Sequence, residues 1–368
     1  MKKILLFGLA LLLLSSALFA DDAKTMPARL GRLYLAPSYM FANKLFNDDG
    51  DRKDYGTGGG SVKAFNIGAA LEYGPIEWMT IAIQWAPGIN VWSDVDRTIP
   101  AFDIPGYMGG GPLMIGASDD ANAFGVGDIF FGLKFQILGN QGLVKNDMFR
   151  LAFAPGIKIP LPGPDYEEQA ENALKAEAIT PGNVDKHTLA IGLRSYFDFV
   201  VNKYFFVNFY NESLFYVMKK DAKKAGYMEY VFADALDKMN ADVDVDVKYG
   251  YELTFELEPV FTYMLTPKIQ FNAGLPINYK TAPGRELVLS GSDAAVAGIE
   301  AMLPNFSQLL VKKEDQSHLL LLKPNVSFFF VGWKLPMEFK LSYFAPLWGM
   351  NERAGHTLSF QIRMYFKI

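Results

Sequence analysis

Residues 358–368 read Leu358-Ser359-Phe360-Gln361-Ile362-Arg363-Met364-Tyr365-Phe366-Lys367-Ile368. Leu358, Phe360, Ile362, Met364, Phe366 and Ile368 fall on one parity, and Ser359, Gln361, Arg363, Tyr365 and Lys367 on the other. Side chains of a strand point alternately to opposite faces, so this period of two describes a strand with one oily and one polar face. Wound as a helix, the same residues would scatter around the circumference and leave Arg363 and Lys367 among apolar neighbours.

The rhythm recurs upstream. Leu189, Ile191, Leu193, Phe197 and Phe199 alternate with Ala190, Gly192, Arg194, Tyr196 and Asp198. Tyr249, Tyr251, Leu253, Phe255, Leu257, Phe261 and Tyr263 oppose Glu252, Thr254, Glu256 and Glu258. Such segments are expected at 30–42, 61–73, 76–92, 124–138, 147–160, 186–200, 203–218, 248–265, 267–282, 317–332, 334–347 and 355–368. Segments of about ten residues or more are long enough to cross a bilayer at a tilt.

The connections are sorted by length. Gly74-Pro75, Val201-Asn202, Thr266-Pro267 and Gly332-Trp333 are tight, and residues 139–146 form a somewhat longer turn. Between them lie long polar or glycine-rich stretches at 43–60, 93–123, 161–185, 219–247 and 283–316. Short periplasmic turns alternating with long external loops are the mark of a transmembrane barrel. The expected fold is therefore all-β: an antiparallel up-and-down barrel of about twelve strands with both termini periplasmic. Residues 166–179, 222–239 and 290–310 carry helix-like spacing within the long loops, as short helices over the mouth or as mobile external loop.

Composition agrees with export to an outer membrane. Met1-Lys2-Lys3, an apolar run over 4–14 and Ser15-Ser16-Ala17-Leu18-Phe19-Ala20 have the parts of a signal peptide over 1–20, cleaved after Ala20 or, second choice, Ala17. Residues 21–29 then form a short periplasmic segment ahead of a barrel over 30–368. The apolar run is shorter than the roughly 20 residues a spanning helix needs. There is no cysteine, which excludes disulfides, thiolate metal sites and a lipid-modified cysteine. The chain is 50% hydrophobic, with 30 Phe, 18 Tyr and 5 Trp, as lipid-facing bands and interfacial girdles require. A net charge of −5 offers no basic patch for nucleic acid.

On the inward parity lie Glu72, Asp128, Lys134, Arg150, Lys158, Arg194, Asp198, Glu212, Glu252, Glu256, Glu258, Lys280, Lys323, Glu338, Lys340 and Arg363. These charges either line a wet pore or pair across it and partly fill it. Glu252, Glu256 and Glu258 form the most one-sided field, which favours cations unless Lys280 or Lys323 neutralises it. A second pattern is proline after alanine, at Pro37, Pro87, Pro155 and Pro346, with Pro276 as a looser relative. Proline donates no ladder hydrogen bond, so these positions predict kinked strands. They mark either a lateral opening for an apolar ligand or ordinary bulging of the wall.

Catalysis and metal binding find little support. The three histidines are His187, His318 and His356. In His356-Thr357-Leu358-Ser359 the serine stands one place too far for the motif of outer-membrane phospholipase A, and the two side chains would point to opposite faces. No nucleophile–base pair emerges, so no enzyme activity, metal or cofactor is expected.

Gly125-Val126-Gly127-Asp128-Ile129-Phe130-Phe131-Gly132-Leu133-Lys134-Phe135 resembles a stretch common in outer-membrane transporters of the phenol and aromatic-hydrocarbon degradation-pathway type. Those are distant relatives of the long-chain fatty-acid channel. Pro155-Gly156-Ile157-Lys158-Ile159-Pro160 looks like their proline-ended partner strand. The resemblance implies a channel for diffusive uptake of small hydrophobic molecules. The chain lacks the hatch with an Asn-Pro-Ala signature and the fourteen strands of the fatty-acid channel, so no ligand residue carries over. The alternatives are a polar-solute porin and a barrel that anchors partner-binding external loops. The expected partners are outer-membrane lipid, a small apolar ligand and, during insertion, the barrel-assembly machinery.

Overall fold

The computed structural model describes residues 22–55, 59–99, 113–115, 125–174, 184–302 and 312–367. The expected signal peptide lies outside them, as do parts of the external loops. Twelve strands form the wall: β1 (Leu30–Ala42), β2 (Ser61–Ile76), β3 (Met79–Ile99), β4 (Ile129–Leu138), β5 (Phe149–Ile159), β6 (Ala190–Asn202), β7 (Phe205–Tyr216), β8 (Tyr251–Thr266), β9 (halves Ile269–Gly274 and Ile277–Ala282), β10 (halves Ser317–Leu322 and Asn325–Phe330), β11 (Met337–Met350) and β12 (His356–Lys367). Each pairs antiparallel with its sequence neighbour, and β12 closes on β1 from Leu30↔Lys367 to Phe41↔His356. Closure matters because an open edge in hydrocarbon would leave backbone groups without partners.

Period-two patterning sets the two faces. Leu193, Phe197, Phe209, Phe255, Leu257, Phe328 and Leu341 are exposed outward, where lipid lies. Aromatic pairs gather toward the strand ends, as interfacial girdles do. At the periplasmic rim Phe149 stacks on Phe199 and Phe330 on Trp333, with centroids 5.4 and 4.4 Å apart. At the external rim Phe215 meets Tyr251 at 6.3 Å.

The external loops fold into a cap. It contains helices α1 (Tyr166–Leu174), α2 (Tyr227–Lys238) and α3 (Asp293–Met302). Asp165 starts α1, its carboxylate accepting from the amides of Glu167 and Glu168 at 3.0 and 3.2 Å. A four-stranded sheet of Lys220–Asp221, Val243–Tyr249, Arg285–Gly291 and Lys313–Glu314 supports α2 and α3. One apolar cluster joins Tyr55, Val62, Tyr166, Tyr230 and Val231; another joins Tyr216, Phe232, Leu236, Val247, Tyr249 and Ile299. Arg285 ties the cap together, bridging Glu229 of α2 and Glu314, the latter at 2.5 Å.

Candidate functional site: the lumen and its mouth

The segment ahead of β1 occupies the periplasmic end of the lumen. Ala23, Thr25 and Met26 are buried. The Ala23 amide donates to both Asp198 oxygens at 3.1 and 3.2 Å, and the Met26 amide donates to Thr80 Oγ1 at 2.7 Å. Lys134 Nζ donates to the Asp22 carbonyl at 2.5 Å and Gln136 to the Ala23 carbonyl at 3.0 Å. Ala23 packs against Ala152, Ala154, Tyr196 and Tyr210. Asp198 also accepts from Arg150 at 3.2 Å and from Asn208 at 2.8 Å.

Above and beside this segment, inward charges pair mainly between adjacent strands along the wall. Arg32 meets Glu72 at 2.5 Å, and Arg363 meets Glu338 at 3.2 Å. Arg194 pairs with Glu212 at 2.5 Å, donates to Gln84 and lies 3.7 Å over the Phe130 ring. Gly156 makes room for that ring: a Cβ there would lie 2.3 Å from Phe130. Lys323 meets Glu256 at 3.0 Å, with Asn278 on the same carboxylate at 2.9 Å, and Asn325 donates to Glu258 at 2.9 Å. Lys280 and Lys340 make no close ion pair among the described residues, and act at longer range on Glu252 and Glu258 respectively.

At the mouth, Lys158 pairs with Asp185 at 2.6 Å and His187 Nδ1 with Asp128 at 3.1 Å. Glu252 accepts from the Tyr216 hydroxyl at 3.1 Å. Between mouth and centre lies a cavity of about 70 Å³ whose walls include Gln84, Ala86, Phe130, Lys158, Arg194, Glu252 and Lys323. A cavity that admits benzene measures about 150 Å³, so a ring would not fit there without side-chain movement.

The wall has a belt of prolines. Pro37, Pro87, Pro155, Pro259, Pro276, Pro324 and Pro346 each stand six to nine residues from the periplasmic end of their strand. Beside Pro37, β1–β12 pairing lapses between Leu35 and Ser38; beside Pro155, β4–β5 pairing lapses between Gly132 and Phe135. Pro276 and Pro324 divide β9 and β10, and Pro346 lies next to a register shift against β10. Around Pro87 the distortion is larger. Register against β2 passes from Ala69↔Trp85 to Ile67↔Ile89, and regular β3–β4 pairing stops at Trp85↔Ile129 before one bridge at Ile89↔Val126. Gly88, at φ 84°, supplies the left-handed residue this bulge needs. Ala86, on the edge of the bulge, lines the cavity.

Sequence parity passes over Arg32 and Gln84 on the inward face, the loop residues Asp185 and Lys186, and Pro259 and Pro324 in the belt. His318 and His356 point outward, their Nδ1 atoms 2.7 Å from the Tyr279 and Tyr343 hydroxyls of neighbouring strands.

The architecture is that of a bacterial outer-membrane β-barrel. An outer membrane channel from Pseudomonas putida F1 superposes with a TM-score of 0.56 at 10% identity, over 95% of this chain and 100% of that one. Weaker likenesses include the transport unit of the autotransporter AIDA-I from Escherichia coli (TM-score 0.43, 7% identity, 98% and 97% covered). Another is the Ralstonia pickettii toluene transporter TbuX (TM-score 0.35, 9% identity, 93% and 90% covered). No family model and no curated protein matches the sequence.

Proposed function

We propose that the barrel carries small hydrophobic molecules passively across the outer membrane, taking them in at the capped mouth and releasing them sideways through the wall between β3 and β4. The observation that carries this reading is the contact between the cavity and the broken ladder: Ala86 lines the cavity, and β3–β4 pairing is reduced to one bridge just beyond it. Its support lies equally in the axial route, where ion pairs and residues 22–26 occupy the interior. The resemblance of 125–135 and 155–160 to aromatic-hydrocarbon transporters points the same way. Its partners are outer-membrane lipid around the apolar band, an apolar ligand and the assembly machinery that inserts the barrel.

Ile89→Cys with Val126→Cys tests this. Antiparallel bridge partners lie about 4.5–5.5 Å apart at Cα, within disulfide range. Oxidation should abolish toluene uptake into proteoliposomes and reduction should restore it; uptake indifferent to the staple would remove the lateral path. A polar-solute channel is the second reading, favoured by the charged cavity lining. Steady ion conductance in planar bilayers, with no apolar uptake, would establish it instead.

A further inference from the structure

Most of the charge at the mouth is matched. Asp185 accepts from Lys158 at 2.6 Å and from the amides of Asp128 and Lys186 at 3.0 and 2.9 Å. Asp128 accepts from the amides of Leu161 and His187 and lies 3.1 Å from His187 Nδ1. Glu252 takes the Tyr216 hydroxyl, Glu352 takes Ser317 and the Arg353 amide, and Arg285 is held by Glu229 and Glu314. Lys186 and Lys220, like Lys280, have no close carboxylate among the described residues. Among the described residues Lys186 Nζ donates to no oxygen and rests 5.6 Å from the centre of the Tyr249 ring. Lys220 Nζ makes a single hydrogen bond, 3.0 Å to the Lys186 carbonyl. An ammonium has three donors, so both are left short of acceptors.

We propose that Lys186 and Lys220, with Tyr216 and Tyr249 beside them, form a capture site for the carboxylate of a small apolar acid. The site rests on the uptake reading above and narrows its substrate class. The two tyrosine rings lie 5.8 Å apart at 54° and belong to the apolar cluster beneath the cap. Both rings are buried in that cluster, and Lys186 Nζ rests against it. A carboxylate supplies the missing acceptors while its ring or short chain extends the apolar cluster; a hydrocarbon supplies no acceptor. Burial agrees with this, since it pushes Lys186 down and Lys220 down to about 8. The charges facing Lys186 are Glu252, Asp185, Glu352 and Arg285; those facing Lys220 are Asp128, Asp185, Lys186 and Lys224.

The test uses the full-length protein in detergent, titrated calorimetrically with benzoate at pH 7, beside toluene and benzoate uptake into proteoliposomes. Benzoate should bind saturably, and Lys186→Gln and Lys220→Gln should each weaken it roughly tenfold or more, as loss of a charge-assisted hydrogen bond does. Lys186→Arg keeps the charge and should retain binding. Raising the pH from 7 to 9.5 takes Lys220 through about 8, discharges it and should weaken benzoate without affecting toluene uptake. If toluene enters while benzoate does not bind, or binds equally to both glutamine variants, the capture site is overturned and the uptake reading stands. If benzoate binds as expected but neither compound crosses, the uptake reading falls and the capture site survives.

Discussion

Asp198→Ala should free the segment that occupies the periplasmic end of the lumen. The Ala23 amide is held by the Asp198 carboxylate at 3.1 and 3.2 Å, a charge-assisted hydrogen bond shielded from water. Such a bond contributes about 1.5–3 kcal/mol, so its loss should raise the released fraction roughly 10- to 100-fold. The other contacts, from Gln136, Lys134 and the Met26 amide, remain and keep release transient. The chain has no cysteine, so Met26→Cys creates a unique thiol at a buried position. Its labelling by a polar maleimide reports the time the segment spends out of the lumen. The double variant should label 10- to 100-fold faster than Met26→Cys alone, and brief conductance steps should appear in planar bilayers. Asp198→Ala also strips Arg150 of its partner, so folding is checked by heat-dependent mobility on gels. Equal labelling rates in two well-folded barrels would show that the carboxylate does not hold the segment.

Arg194→Met leaves Glu212 buried without its cation, and thermal unfolding in detergent should show a loss of about 3–5 kcal/mol. Adding Glu212→Leu should recover most of that loss, because replacing both partners of a buried pair is often near neutral. Arg285→Ala removes the bridge from Glu229 to Glu314, so limited proteolysis should cut the external loops sooner while the barrel stays resistant.

Alternation makes the wall legible because lipid on one side and charge on the other select residue type at every position, as from Leu189 to Phe199. The sorted loops supply strand direction. Residues 22–26 carry no such signal, since their contacts run largely through backbone amides and carbonyls, to which the side chains are incidental. Asp185 and His187 escape for a related reason: they belong to a connection without periodicity, and only folding of the loop brings them to Lys158 and Asp128. The alanine–proline pattern finds Pro37, Pro87, Pro155 and Pro346 but passes over Pro259 and Pro324, which follow Glu258 and Lys323. What those prolines share is depth in the wall, a property that emerges when neighbouring strands are set in register.

A lumen lined with ion pairs is a poor way to gain stability, because apolar residues of similar volume often do as well or better. Its effect is on register. Slipping β7 or β10 by one residue would turn Glu212 or Lys323 toward lipid, and a basic residue at mid-membrane costs about 2–4 kcal/mol. Inward charge therefore specifies which face of each strand meets hydrocarbon, independently of transport. If passage runs by the mouth and the β3–β4 wall, the lumen pairs four strands away around the ring should be dispensable for it. Replacing Arg363 and Glu338 together by leucine should then lower the yield of correctly inserted barrel while leaving apolar uptake per inserted molecule unchanged. Loss of uptake in a barrel that inserts normally would place the path through the lumen beside those residues.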